Sequence, residues 1–100
     1  MPTIAEPIQK QETNLQKKFY PNYRVLLHND DSVFAGLVVN ALQKHIPGMN
    51  ETKAIAVMME AHQSGTGIVI VCAQERAEAY EDVLKSEGLT ISIEPVEVGG

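Results

Sequence analysis

Asn29, Asp30 and Asp31 set an amide carbonyl and two carboxylates in immediate succession at the end of the strand-like run Tyr23-Arg24-Val25-Leu26-Leu27-His28. A row of acceptors in that place suits either of two tasks: holding a cation, or capping the helix that follows. Asn and Asp between a strand and a helix are ordinary turn and cap residues, and Asp31 or Ser32 would serve a helix beginning near Val33. One acceptor suffices for a cap, so three leave a surplus. His62 is the other residue of interest. It closes an otherwise apolar helical face one turn after Met58 and beside Ala61, where a histidine is either a semi-buried structural residue or a further acceptor. By residue type alone, His28, Asp30, Asp31 and His62 also make an acid/base or metal-binding set, but no Ser or Cys stands in a nucleophile motif. Gly65-Thr66-Gly67 lacks the third glycine and the lysine of a phosphate loop and reads as a turn.

The elements that must carry these groups are legible in the periodicity. Val25 to Leu27 form a first strand. Phe34, Leu37, Val38, Ala41, Leu42 and His45 recur at helical spacing up to Pro47-Gly48, with Gly36 costing on the order of 1 kcal/mol against Ala. Asn50 is the N-cap of a second helix whose face is Ala54, Ile55, Met58, Ala61 and His62, with Met49 placed to staple onto Ala54. Met58-Met59 suits a core or a binding surface that accepts several apolar shapes. The continuous β-branched run from Ile68 to Cys72 predicts a strand at the centre of the sheet. Ala73, Ala77, Tyr80 and Leu84 mark a third helix closed by Gly88, and Leu89, Ile91 and Ile93 alternate with polar residues in a last strand halted by Pro95. The order is β-α-α-β-α-β, an α+β fold in which a three-stranded antiparallel sheet packs against three helices. Residues 1–20, with scattered apolar positions and many Gln, Lys and Glu, read as a flexible extension before a core domain over 21–100.

Composition narrows the function classes. One hundred residues make one domain. A net charge of -5 argues against nucleic acid, which needs clustered Lys and Arg. The single cysteine, Cys72, excludes a Cys-rich metal site and an internal disulfide, and it reads as a small buried hydrophobe. No apolar stretch approaches the roughly 18–20 residues of a membrane span, and no secretory signal is present, so a cytoplasmic or plastid-stromal protein is expected.

The chain resembles the ClpS family of adaptors, which recognise destabilising N-terminal residues (N-degrons) and pass the proteins bearing them to a Clp AAA+ protease. The resemblance rests on Tyr23-Arg24-Val25-Leu26-Leu27-His28-Asn29-Asp30-Asp31, Leu42-Gln43-Lys44, His62-Gln63-Ser64-Gly65 and Glu75-Arg76-Ala77-Glu78. It implies a non-enzymatic monomer without cofactor or metal. Asn29, Asp30, Asp31 and His62 would bind a free α-amino group, and Val33, Ala35, Val38, Met58 and Ala61 would line a pocket for an N-terminal Phe, Leu, Tyr or Trp. Glu75 and Tyr80 would meet the N-terminal domain of a ClpA- or ClpC-type unfoldase, which the extension also engages. Three departures from the family pattern stand out. Ser32-Val33-Phe34-Ala35-Gly36 replaces the usual residues after Asn-Asp-Asp, Ala35 occupies the position of a gatekeeping Met, and Tyr80 stands where Lys is usual. They suggest a divergent paralogue of cyanobacterial or plastid type. From the residues alone, a small acid/base or metal-dependent enzyme using His28, Asp31 and His62, or an inert interaction domain, would also fit.

Overall fold

The computed structural model describes residues 22–97; the extension expected over 1–20 lies outside them. The elements are β1 (Tyr23–His28), α1 (Ala35–His45), α2 (Glu51–Ser64), β2 (Thr66–Cys72), α3 (Gln74–Ser86) and β3 (Ile91–Pro95), in the predicted order. The three strands form one antiparallel sheet. Alternation along β1 sends Val25 and Leu27 into the main core with Val38, Leu42, Ala61 and Leu84, while Leu26 lies outside that cluster. The three helices each contribute buried residues to this core and cover one side of the sheet.

The strand order is β2-β1-β3, so β1 is central and β2, expected there, is an edge strand. The β-branched run reflects strand propensity rather than two-sided burial: Ile68 and Val71 are 43% and 47% exposed, whereas Val25, Leu26 and Leu27 are all buried. The open edge is partly closed by α2, from which the Glu60 carboxylate accepts the Ile68 N–H at 3.0 Å. The register slips once: Val25 faces Ile70 and Leu26 faces Ile68, leaving Val69 as a bulge residue buried in the core. Cys72 is half-buried against the core, and burial pushes its thiol upward against the opposing pull of the Arg76 charge.

Two local expectations at the start of α1 fail. Neither Asp31 nor Ser32 caps it; the helix opens at Ala35 with Phe34 in the N-cap position and no side-chain cap. Phe34 is 79% exposed rather than on the buried face, its ring lying over Gly36. The cap of α2 is as expected, with the Asn50 side chain accepting the Lys53 N–H at 2.8 Å.

A rimmed cavity between the end of β1 and the end of α2

Backbone hydrogen bonds fix the end of β1 on both flanks. His28 N–H donates to the Thr90 carbonyl at 2.9 Å, and Asn29 N–H donates to the Gly65 carbonyl at 3.0 Å. Gly65 is the C-cap of α2, at φ 93°, and its own N–H reaches back to Ala61 at 2.8 Å. The Asn29 bond therefore holds the strand end in register with the last turn of α2, the turn that bears His62. Gly67, expected to be only a turn residue, lies in β2 and sets the approach of that helix. A Cβ there would collide with the Val57 carbonyl oxygen, so the α2 backbone sits closer to the sheet than any side chain permits.

Between these elements lies a cavity of about 360 Å³. Asn29, Asp30, Asp31, His62, Val33, Ala35, Val38, Met58 and Ala61, the residues expected to hold an amino group and an apolar side chain, all line it. Leu27, His28, Met59, Leu89 and Thr90 line it as well. Leu89 and Thr90, read from the sequence only as the start of the last strand, precede β3 at Ile91, and the pairing of β3 with β1 brings them to the cavity. Val38 and Ala61 are buried and Met58 and Val33 half-buried, whereas Asn29, Asp31, Ala35 and His62 are exposed, so an apolar interior opens through a polar mouth.

The polar groups fall into two kinds. Asp30 is committed: one oxygen accepts the Ser32 N–H at 3.0 Å and the Ser32 hydroxyl at 2.6 Å, and the other accepts the Thr90 hydroxyl at 2.7 Å. The Ser32 hydroxyl bond, then those from Thr90 and the Ser32 N–H, hold its carboxyl below the usual carboxylate range. Asn29, Asp31 and His62 make no side-chain hydrogen bond among the described residues. His28 is engaged elsewhere, its Nε2 lying 2.6 Å from the Ser92 hydroxyl. Among the described residues no three His, Cys, Asp or Glu side chains converge as metal ligands. Glu75 and Tyr80 do not line the cavity: Glu75 is exposed in the first turn of α3, and Tyr80 packs partly against the core.

An apolar cup with free acceptors at its lip complements an amphipathic group, cationic at one end and hydrophobic at the other. Fold and cavity together define a small α+β domain with one face of its sheet covered by helices and an apolar cavity rimmed by acceptors. The chain belongs to the ClpS family, whose model, described as ATP-dependent Clp protease adaptor protein ClpS, matches residues 18–92. It is 51% identical over 91 residues to the ClpS adapter of Synechococcus elongatus, covering 91% of this chain and 96% of that protein. Against the chloroplast adapter CLPS1 of Arabidopsis thaliana the identity is 45% over 91 residues, 89% of this chain and 57% of the longer plant protein. The solved structure of Agrobacterium tumefaciens ClpS2 bound to L-phenylalaninamide superposes with a TM-score of 0.71 at 30% identity, covering 76% of this chain and 98% of the other. The resemblance read from the motifs thus holds, cyanobacterial and chloroplast relatives included. No described helix is long and apolar enough to cross a membrane.

Proposed function

We propose that this protein captures polypeptides by their first residue and delivers them to a Clp AAA+ unfoldase of ClpA or ClpC type. The observation that carries the reading is the convergence of Asn29, Asp31 and His62 on the mouth of a single apolar cavity. An α-ammonium is a cation with three donors. The Asn29 carbonyl, the Asp31 carboxylate and a neutral His62 nitrogen supply matching acceptors, and Asp30 adds negative charge from a fixed position. Phenylalaninamide, the ligand of the Agrobacterium relative, combines such an amine with a benzyl group.

Val33, Val38, Met58 and Ala61 would receive the side chain of Phe, Leu, Tyr or Trp. Burying it contributes about 1.5–3 kcal/mol. Charge-assisted bonds to the ammonium contribute about 1.5–3 kcal/mol each, and after the ordering cost micromolar affinity remains. Ala35, small and exposed at the position of the gatekeeping Met, leaves room for a β-branched first residue. Glu75, the accessible part of Tyr80 and the extension over residues 1–20 would meet the N-terminal domain of the unfoldase, in the cytoplasm or the plastid stroma. The adaptor acts as a monomer and performs no chemistry of its own.

Fluorescence anisotropy with peptides bearing free N-terminal Phe or Leu, set against their N-acetylated forms, tests the reading. Binding of the free peptides alone supports it. Equal binding of both forms removes the amino-group site.

A further inference from the structure

We propose that Thr90 is a positioning residue of the amino-group site: its hydroxyl pins the Asp30 carboxylate to the entry of β3 and thereby sets where Asn29 and Asp31 present their acceptors. The inference rests on the reading that the cavity mouth binds an α-ammonium, and it gives Asp30 a task different from that of its neighbours.

The three acidic-loop residues are contiguous, yet their surroundings differ. An ionised carboxylate offers about four lone-pair positions. Three at Asp30 are already used, two by Ser32 and one by Thr90. The Ser32 bonds are local and travel with the loop, because donor and acceptor are two residues apart. The Thr90 bond spans 60 positions of sequence and is the side-chain contact that ties this loop to a different element. Thr90 grips the same corner twice, since its carbonyl also accepts the His28 N–H at 2.9 Å.

Asn29 and Asp31 flank Asp30 directly and make no side-chain hydrogen bonds of their own among the described residues. Their placement is inherited from the backbone. That backbone is held at Asn29 by Gly65 and at Asp30 by the Val33 N–H, which donates to the Asp30 carbonyl at 3.0 Å. The carboxylate clamp to Thr90 is the remaining tether, and it reaches across the cavity wall that both residues line. A loop so tethered presents two acceptors to the ammonium without an ordering cost at each encounter.

The test compares Thr90→Val, which keeps the shape and removes the donor, with Thr90→Ser, which keeps the donor. Affinity is measured for a free N-terminal Phe peptide and its acetylated form, and the Asp30 carboxyl titration is followed by carbon-detected NMR. Asp31, His28 and His62, the other titratable groups on the cavity wall, are followed in the same spectra. Thr90→Val is expected to bind the free peptide about ten-fold more weakly, the scale of one hydrogen bond to a charged group, with the fold retained by circular dichroism, the melting temperature slightly lowered and the Asp30 carboxyl moved upward. Thr90→Ser is expected to restore both affinity and titration.

Wild-type affinity in Thr90→Val overturns the inference while leaving the amino-group site standing, and so does a Thr90→Ser variant as weak as Thr90→Val. Should Thr90→Val fail to fold, Thr90→Ser set against Thr90→Ala decides on the same criteria. A wild-type protein that does not distinguish free from acetylated peptide overturns both the site and the role of Thr90.

Discussion

α1 begins beside one polar cluster and ends in another, and the two treat the same residue types in opposite ways. At its C-terminal end, His45 Nε2 lies 2.6 Å from a Glu87 oxygen, and Lys44 Nζ is 3.5 Å from that same oxygen. The bases sit in the last turn of the helix, where its dipole favours positive charge, and Glu87, the C-cap of α3, meets them from across the fold. Every member has a partner, so the cluster is closed. At the cavity mouth, His62, Asp31 and Asn29 have none among the described residues, although an imidazole, a carboxylate and an amide are as capable of pairing there. A cluster that satisfies itself holds elements together, whereas one left open can satisfy a ligand. Asp30 lies between the extremes, with most of its capacity spent on Ser32 and Thr90.

Removing the open acceptors should give the largest effect on binding. His62→Ala or Asp31→Ala is expected to cost about 1.5–3 kcal/mol of affinity for an N-terminal Phe peptide with the melting temperature intact. Peptide anisotropy and thermal melts on each variant check this. Unchanged affinity in both variants would dissolve the contrast between the two clusters. His45→Ala, by the same logic, should lower the melting temperature and leave affinity alone.

Gly67→Ala attacks the frame of the cavity. The added methyl meets the Val57 carbonyl, and α2 must move off the sheet, at a cost of about 1–3 kcal/mol in stability. Because α2 carries Met58, Ala61 and His62, binding should fall together with the denaturation midpoint, whereas His62→Ala lowers binding alone. A Gly67→Ala protein with wild-type midpoint and affinity would show that the close approach is not required.

Ala35→Met refines the open end. The longer side chain refills the mouth and should disfavour Ile and Val relative to Leu at the first position by about 1 kcal/mol, the scale of one methyl group against a pocket wall. The ratio of Leu to Ile affinities in the two proteins decides it, and equal ratios would show that Ala35 does not limit the first side chain.

The closed cluster should give the smallest effect, because water reaches both groups. The His45 hydrogen bond and then the Lys44 charge hold the Glu87 carboxyl below its usual range. A depressed carboxyl contributes stability that is fully present above its unfolded value, about 4.3, and is lost as pH falls through the lower folded value. The melting-temperature difference between the native protein and Glu87→Gln should therefore be positive near pH 6 and shrink below about pH 4. A difference that stays constant from pH 6 to 3 would mean that the pair contributes nothing.

The kind and order of the elements are already legible in the amino-acid sequence. Helical spacing in α1, α2 and α3, alternation in β3 and the cap at Asn50 are local properties, set within a few residues of where they act. The acceptors are legible as well, since Asn29, Asp30 and Asp31 are contiguous and His62 belongs to the same family pattern. What those groups are free to do depends on how the elements pack. Burial of a strand depends on its neighbours, so an edge strand with β-branched residues, such as β2, reads like a central one. Phe34 fits the helical period but sits at the N-cap, where its ring is turned out to solvent. Thr90 is an ordinary threonine until β3 pairs with β1 and carries its hydroxyl to Asp30. Local periodicity arises from backbone geometry within one element, but the pairing of a hydroxyl with a carboxylate 60 residues away exists only once the sheet has formed.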